Sequence, residues 1–361
     1  MEVTATDGDA RTGLLHTPRG SIRTPCFMPV GTRGALRHLA ADDLEDLGVE
    51  MMLANTYHLM LKPGAEVVAD LGGLHTFMDW SGHVLTDSGG YQVFSLGPKV
   101  DDEGVTFRST YDGSTHRLTP ELATERQEAL GADIQMVLDV CPPWPCPPRE
   151  LRVAIERTAA WAARARAART LEGQAQYGIV QGGVDAGLRA ESAERTVAIG
   201  FDGYGIGGLS VGEPRDEMLP ALEVTVARLP ADRPRYVMGL GDPVGIVESV
   251  ARGVDQFDCV LPTRLARHGT ILTTAGRLNL RNARFATDPA PLDPACDCRV
   301  CRRWSRAYLR HLLKTDEPTG PRLITLHNVT WTLALVDRIR DAVAEGRLDA
   351  LRAEIAAVWA D

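Results

Sequence analysis

"HVLTDSGGYQ", residues 83–92, decides how the chain is read. Four strand-compatible residues run into Asp87, Ser88 and two glycines, so an apolar run stops abruptly on a carboxylate. In a sheet covered on both faces, strands read as short apolar runs, and polar groups enter where the strand leaves the interior. The same shape recurs in "CFMPV" (26–30), "MMLANTY" (51–57), "DIQMVLD" (133–139), "QYGIVQ" (176–181), "DGYGIGGL" (202–209), "RYVMGL" (235–240) and "QFDCVL" (256–261). Most of these runs are separated by segments of helical periodicity, among them "TPELATERQEALG" and "GLRAESAERTVAIG". Thr119 before Pro120 reads as a helix start, and Gly131 and Gly200 as helix stops. Strand alternating with helix predicts an α/β fold with a parallel sheet inside, and about eight runs fit a closed (β/α)8 TIM barrel better than an open sheet. The expected organisation is one catalytic domain over 1–361, with a distinct Arg-, Pro- and Cys-rich subdomain at about 280–330 and terminal helices after it.

The chain has 361 residues, 44% hydrophobic and 24% charged, with no low-complexity tract, which is the composition of a folded protein in water. Its first residues offer no basic start followed by an apolar segment, and no apolar stretch approaches the roughly 20 residues that cross a bilayer. A cytoplasmic protein without a membrane partner is expected. The net charge of −9 excludes indiscriminate coating of nucleic acid, yet residues 262–314 hold 11 Lys+Arg against 3 Asp+Glu. A basic segment on an acidic body suits a protein that meets a polyanion at one place.

Barrel enzymes gather their chemistry where strands end. Asp87, Asp139, Gln181, Gly208, Met238 and Asp258 all fall there. A pair of carboxylates flanking a sugar carbon is the recurring device for breaking a glycosidic bond. A third carboxylate can accept the N1–H and 2-amino donors of guanine, while an amide and a bare backbone N–H serve O6. Asp139, Gln181 and Gly208 supply that complement, and Tyr91 and Met238 could sandwich a flat base. Gly203, Gly205 and Gly208 also show G-x-G-x-x-G spacing, but late in the chain and not in a first βα turn, so a dinucleotide site is not supported.

The seven cysteines lack the even count and short secreted context of a disulfide framework. Cys296, Cys298 and Cys301 instead form C-x-C-x2-C, a strong thiolate cluster for structural zinc. His327 is the expected fourth ligand, with His311 and His268 also within reach along the chain. Four protein ligands leave no open position, so the metal is expected to staple the basic segment and take no part in chemistry.

The motifs "LTDSGGYQVFSL", "LDVCPPWP", "GIVQGG", "GYGIGGLSVGE", "YVMGLG", "FDCVLPTRLARHGT" and "CDCRVCRRWSRAYLRHL" with "LHN" occur in this order along nearly the whole chain. Together they resemble the bacterial tRNA-guanine transglycosylases, or queuine tRNA-ribosyltransferases. The resemblance implies a zinc-bearing TIM-barrel homodimer that exchanges the wobble guanine of tRNAs with a GUN anticodon for a free 7-deazaguanine base. It implies Asp258 as nucleophile on ribose C1′ and Asp87 as acid/base. It also implies Asp139, Gln181 and Gly208 on the base edge, and the Leu209 carbonyl on an incoming aminomethyl group. Glu213 would lie behind that peptide, and Tyr91 and Met238 would stack on the base. Val211 fills the space a queuine side ring would need, which implies 7-aminomethyl-7-deazaguanine (preQ1) as the incoming base. Arg264, Arg267, Arg281, Arg284, Arg302 and Arg303 are implied tRNA contacts, with Arg306 extending them. Both aspartates are present, unlike in non-catalytic partner subunits, and His268 stands where the family usually has Asn. A retaining glycosidase would share the carboxylate pair, and a non-catalytic zinc-stabilised RNA-binding module would share the cysteines and arginines.

Overall fold

The computed structural model describes residues 1–359. Eight parallel strands form its centre: β1 Cys26–Pro29, β2 Met51–Ala54, β3 His83–Thr86, β4 Ile134–Met136, β5 Ala175–Val180, β6 Gly203–Ile206, β7 Arg235–Val237 and β8 Gln256–Cys259. From β2 to β8 each pairs with its successor, and β8 pairs with β1. Between β1 and β2 the sheet closes through one parallel bridge, Val30 to Leu53, where Gly31 N–H donates to Leu53 O at 2.7 Å. This is the (β/α)8 barrel expected from the alternation, and all eight apolar runs contribute a strand. The strands are shorter than the runs: "MMLANTY" pairs only to Ala54, and Thr56–Leu61 is already helical. Residues at the ends of the runs belong to the loops that build the mouth.

Helices cover the barrel from outside, including Pro120–Leu130, Pro148–Ala168, Ala186–Ile199, Arg215–Val226 and Pro243–Val250. Their ends obey local chemistry. Thr119 accepts from Leu122 N–H, while Gly131 stops the same helix at φ 71°. Two antiparallel sheets are added to the barrel. One is a three-stranded sheet within Glu2–Thr24, and the other lies within Lys99–Leu118, between β3 and β4. The long helix Thr319–Ala344 returns against β1 and the N-terminal sheet, and Leu348–Trp359 ends the described chain. Among the described residues, no helix is long and apolar enough to cross a membrane.

The barrel is filled by side chains. Tyr177 of β5 donates across it to Gln256 of β8 at 3.1 Å, and both are fully buried. Below β8, Arg11 of the N-terminal sheet grips Asp255 with two bonds, Nε to Oδ1 at 2.8 Å and Nη2 to Oδ2 at 2.6 Å. Removing one partner of a buried pair strands the other charge. Arg11→Met is therefore expected to lower unfolding free energy by about 3–5 kcal/mol, measured by urea denaturation; a loss near zero would mean that the pair does not hold the barrel floor.

Candidate active site

At the C-terminal mouth of the barrel lies a cavity of about 700 Å³ lined from nearly every strand end. Of the sequence-predicted residues, Asp87, Tyr91, Asp139, Gln181, Gly208, Leu209, Met238, Asp258 and Arg264 all line it, and so does Val211. Asp258 projects from β8. Its Oδ1 accepts from the Tyr236 hydroxyl at 2.5 Å and from Gly239 N–H at 2.7 Å, and no donor among the described residues reaches Oδ2. One oxygen is fixed and the other faces the cavity, which is how a carboxylate is presented to an electrophile.

Asp87 follows β3 directly. Its side chain accepts from Thr56 N–H at 2.9 Å, Gly89 N–H at 3.1 Å and the Asn55 amide, while Thr56 Oγ1 donates to its carbonyl at 2.6 Å. Gly89 makes this turn at φ 80°, with Tyr57 N so close that a Cβ would be crowded at 3.1 Å. Asn55 and Thr56 lie just after β2, so neighbouring strands hold each other's acids. Asp139 accepts from Gln181 Nε2 at 2.6 Å and keeps its other oxygen unengaged. Gln181 Oε1 is buried without a partner. Gly208, at φ 66°, presents bare backbone beside that amide, and a Cβ there would collide with Gln181 Oε1. Tyr91 is 64% exposed at the rim, with half-buried Met238 also facing the cavity.

Glu213 does not line the cavity. It sits behind the wall and accepts from Ser210 N–H and, at 2.9 Å, from Val211 N–H. Since N–H and C=O of a trans peptide point oppositely, the Leu209 carbonyl points away from Glu213.

Among the described residues no cation pairs with Asp87, Asp139 or Asp258; their donors are amides and a phenol. Burial therefore dominates. It pushes Asp258 up to about 6 against the pull of Tyr236 and Gly239, and the charge of Asp87 adds to the rise. Asp139 is likewise pushed up to about 6 by burial, despite Gln181, and Asp87 itself is raised. Asn55, Thr56 and Tyr236 were not singled out from the sequence, whereas Gly239 falls with Met238 at a strand end there. Tyr236 lies on β7 two positions before Met238, a spacing that could have placed it at the same mouth.

The basic segment divides in two. Arg299 pairs with Asp43 at 2.9 Å and Arg306 with Asp288 at 3.2 Å, whereas Arg264, Arg267, Arg281, Arg284, Arg302 and Arg303 have no carboxylate partner among the described residues. Arg306 is thus tied internally and does not extend a free surface. Arg37, after β1, joins the positive field around Arg267 and His38 and was not anticipated.

Cys296, Cys298, Cys301 and His327 place one ligand atom each within 4.8 Å of one another, a Cys3His group positioned to bind a metal ion. His327 Nε2 meets Leu272 O at 2.8 Å, which assigns the proton to Nε2 and turns Nδ1 to the thiols, 3.5 Å from Cys298 Sγ and 3.4 Å from Cys301 Sγ. The sequence left His311 and His268 open; neither joins the group. Next to His327, buried Asn328 donates to Pro262 O at 3.1 Å and Thr270 O at 3.0 Å and accepts from Leu272 N–H at 3.0 Å.

The chain matches a family model described as queuine tRNA-ribosyltransferase over residues 6–361. A queuine tRNA-ribosyltransferase of Symbiobacterium thermophilum is 55% identical over 353 residues, 97% of this chain and 88% of the relative. Those of Desulforudis audaxviator and Pelotomaculum thermopropionicum are 54% and 53% identical, covering 96% and 94% of this chain and 94% and 92% of their own.

The raised carboxyls make a signed expectation. A folded pKa above the unfolded value means that folding takes up protons, so the stability these groups contribute is greatest at low pH and declines as pH rises from the usual carboxylate range through about 6. Carbon-detected NMR of the side-chain carboxyls should show Asp258 and Asp139 titrating near pH 6. Tyr236→Phe deletes a bond that favours the anion and should move Asp258 further up; an unmoved or falling midpoint would show that the phenol does not hold it.

Proposed function

Because this chain belongs to the queuine tRNA-ribosyltransferase family, we propose that it exchanges the wobble guanine of GUN-anticodon tRNAs for preQ1, a step of queuosine biosynthesis. The carrying observation is Asp258, anchored by one oxygen with the other open to a cavity shared with Asp87 and the Asp139–Gln181 pair. In the first displacement Oδ2 of Asp258 bonds to ribose C1′ as the C1′–N9 bond breaks, and Asp87, whose pKa is raised, gives its proton to the departing guanine. In the second, N9 of the incoming base displaces the carboxylate from C1′, and its proton goes to Asp87. Two inversions retain the configuration at C1′.

The free oxygen of Asp139 accepts from the N1–H and 2-amino side of the base. The second hydrogen on Gln181 Nε2 and the Gly208 N–H serve O6, and Tyr91 and Met238 cover the faces. The Leu209 carbonyl, turned away from Glu213, takes the aminomethyl group of preQ1. Val211, on the cavity wall, limits the room for a larger substituent. A base can reach such a pocket only when splayed from its stack, which suits an anticodon loop. The uncompensated Arg264, Arg267, Arg281, Arg284, Arg302 and Arg303 suit its phosphates. The ion in the Cys3His group is read as zinc, since three thiolates and one imidazole make a closed tetrahedral shell for it. The whole of 1–361 acts as one catalytic domain, with the metal-bearing subdomain at about 280–330, as a cytoplasmic homodimer; for these last points the family resemblance is the support.

With tRNA and radiolabelled guanine, the protein should incorporate label and form an RNA adduct that survives denaturing electrophoresis. Asp258→Ala should abolish the adduct and cut exchange by about three orders of magnitude or more. An adduct persisting in that variant would assign the nucleophile elsewhere. The exchange rate should fall as pH drops below about 6, because Asp258 must be ionised to attack.

Metal analysis should give one zinc per chain. His327→Ala should lose it and open the Cys-rich segment to proteolysis, whereas His311→Ala should keep both metal and protection; the reverse pattern would exchange the ligand assignment.

A further inference from the structure

Among the described residues Arg189 is the one completely buried arginine, and it lies behind the wall of this mouth. It rises from the first turn of helix Ala186–Ile199 and reaches back between the ends of β5 and β6. There it meets no carboxylate. Nε donates to Gly183 O at 2.5 Å, and Nη1 donates to Val180 O at 3.2 Å and Gly207 O at 2.8 Å. Nη2 is buried without a partner and lies next to Gly208, where a Cβ would stand 3.6 Å from it. A buried guanidinium without a directly paired carboxylate is costly to a fold, and three carbonyls together with the more distant charge of Glu213 compensate it only in part. Its partners are two loop carbonyls and the last residue of β5, all at the end of the barrel that carries the cavity.

The bond to Gly207 O falls on one peptide unit with the N–H of Gly208. In a planar trans peptide the oxygen and the hydrogen point oppositely, so holding the oxygen on Arg189 turns the hydrogen away from it. Gly208 lines the cavity. A cationic donor on the carbonyl also polarises the peptide and makes its N–H a stronger donor. Burial lowers the guanidinium pKa to about 10, so the side chain remains charged at neutral pH.

We propose that Arg189 is a positioning residue for the base pocket: through the Gly207–Gly208 peptide it aims and strengthens the donor that selects a purine carrying oxygen at C6. Any negative charge that reaches this oxygen as guanine departs is met by the same donor, preset before the reaction begins. The inference rests on the base-exchange reading above and adds to it a residue that does not touch substrate.

The test compares equilibrium binding of guanine and 6-thioguanine to the full-length, metal-loaded protein by calorimetry. The second base keeps N1–H and the 2-amino group but offers sulfur, a weak acceptor, at C6. Arg189→Met should weaken guanine about tenfold, the value of a charge-assisted hydrogen bond, and 6-thioguanine by less than about threefold. Arg189→Lys keeps the buried charge with a compact head in place of the planar fork and should fall between; it also serves if the methionine variant does not fold. Equal losses for the two bases would mean that Arg189 only supports the fold, and unchanged affinities would mean that it does nothing here; either overturns the proposal. A wild-type protein that binds neither base would remove the base-exchange reading itself, whereas one that prefers guanine as strongly after substitution would remove only the role of Arg189.

Discussion

The structure depends on how three carboxyls are kept together in one cavity without a cation among them. Asp87, Asp139 and Asp258 are held by backbone N–H groups, two amides and a phenol. Neutral donors fix geometry without forcing ionisation, so burial and mutual repulsion decide the protonation states. An arginine salt bridge at any of the three would hold that acid as an anion and occupy the oxygens a substrate needs. The barrel makes the arrangement possible because adjacent strand ends exchange donors: the loop after β2 holds Asp87, β5 holds Asp139, and β7 holds Asp258. Such closely shared support links fold and chemistry more tightly than a single cleft between domains could.

Much of this was legible in the sequence, for a physical reason. Interior strands must be apolar, so a carboxylate or amide at the end of a run marks the point where the chain reaches a wet mouth, as at Asp87, Asp139, Gln181 and Asp258. What the runs did not show was where pairing stops: "MMLANTY" reads as one run, but its polar Asn55 and Thr56 already belong to the turn that holds Asp87. Asn55, Tyr236 and Arg189 act through hydrogen bonds to residues 32, 22 and 18 positions away. No local pattern records such partners. The sheet within Lys99–Leu118 was missed because its strands are short and half-exposed. For the metal group, spacing alone left three histidines open, and the carbonyl of Leu272 behind His327 is what distinguishes one of them.

The basic segment shows why counting charges is not enough. Arg299 and Arg306 are neutralised at home by Asp43 and Asp288, and only the remaining arginines can serve a polyanion. Arg37 lies far away in sequence yet enters the same positive field, because β8 closes the barrel against β1.

Asn328 gives the metal-bearing part a different standing from that of an appended zinc finger. Its amide joins the helix that carries His327 to Pro262 and Thr270, on the chain that leaves β8. The Cys-rich segment is therefore no interchangeable cassette. Grafted onto another barrel, or traded for an unrelated clasp, it would leave the exit from β8 unmoored, so lineages that redesign this region have to redesign the path out of β8 with it.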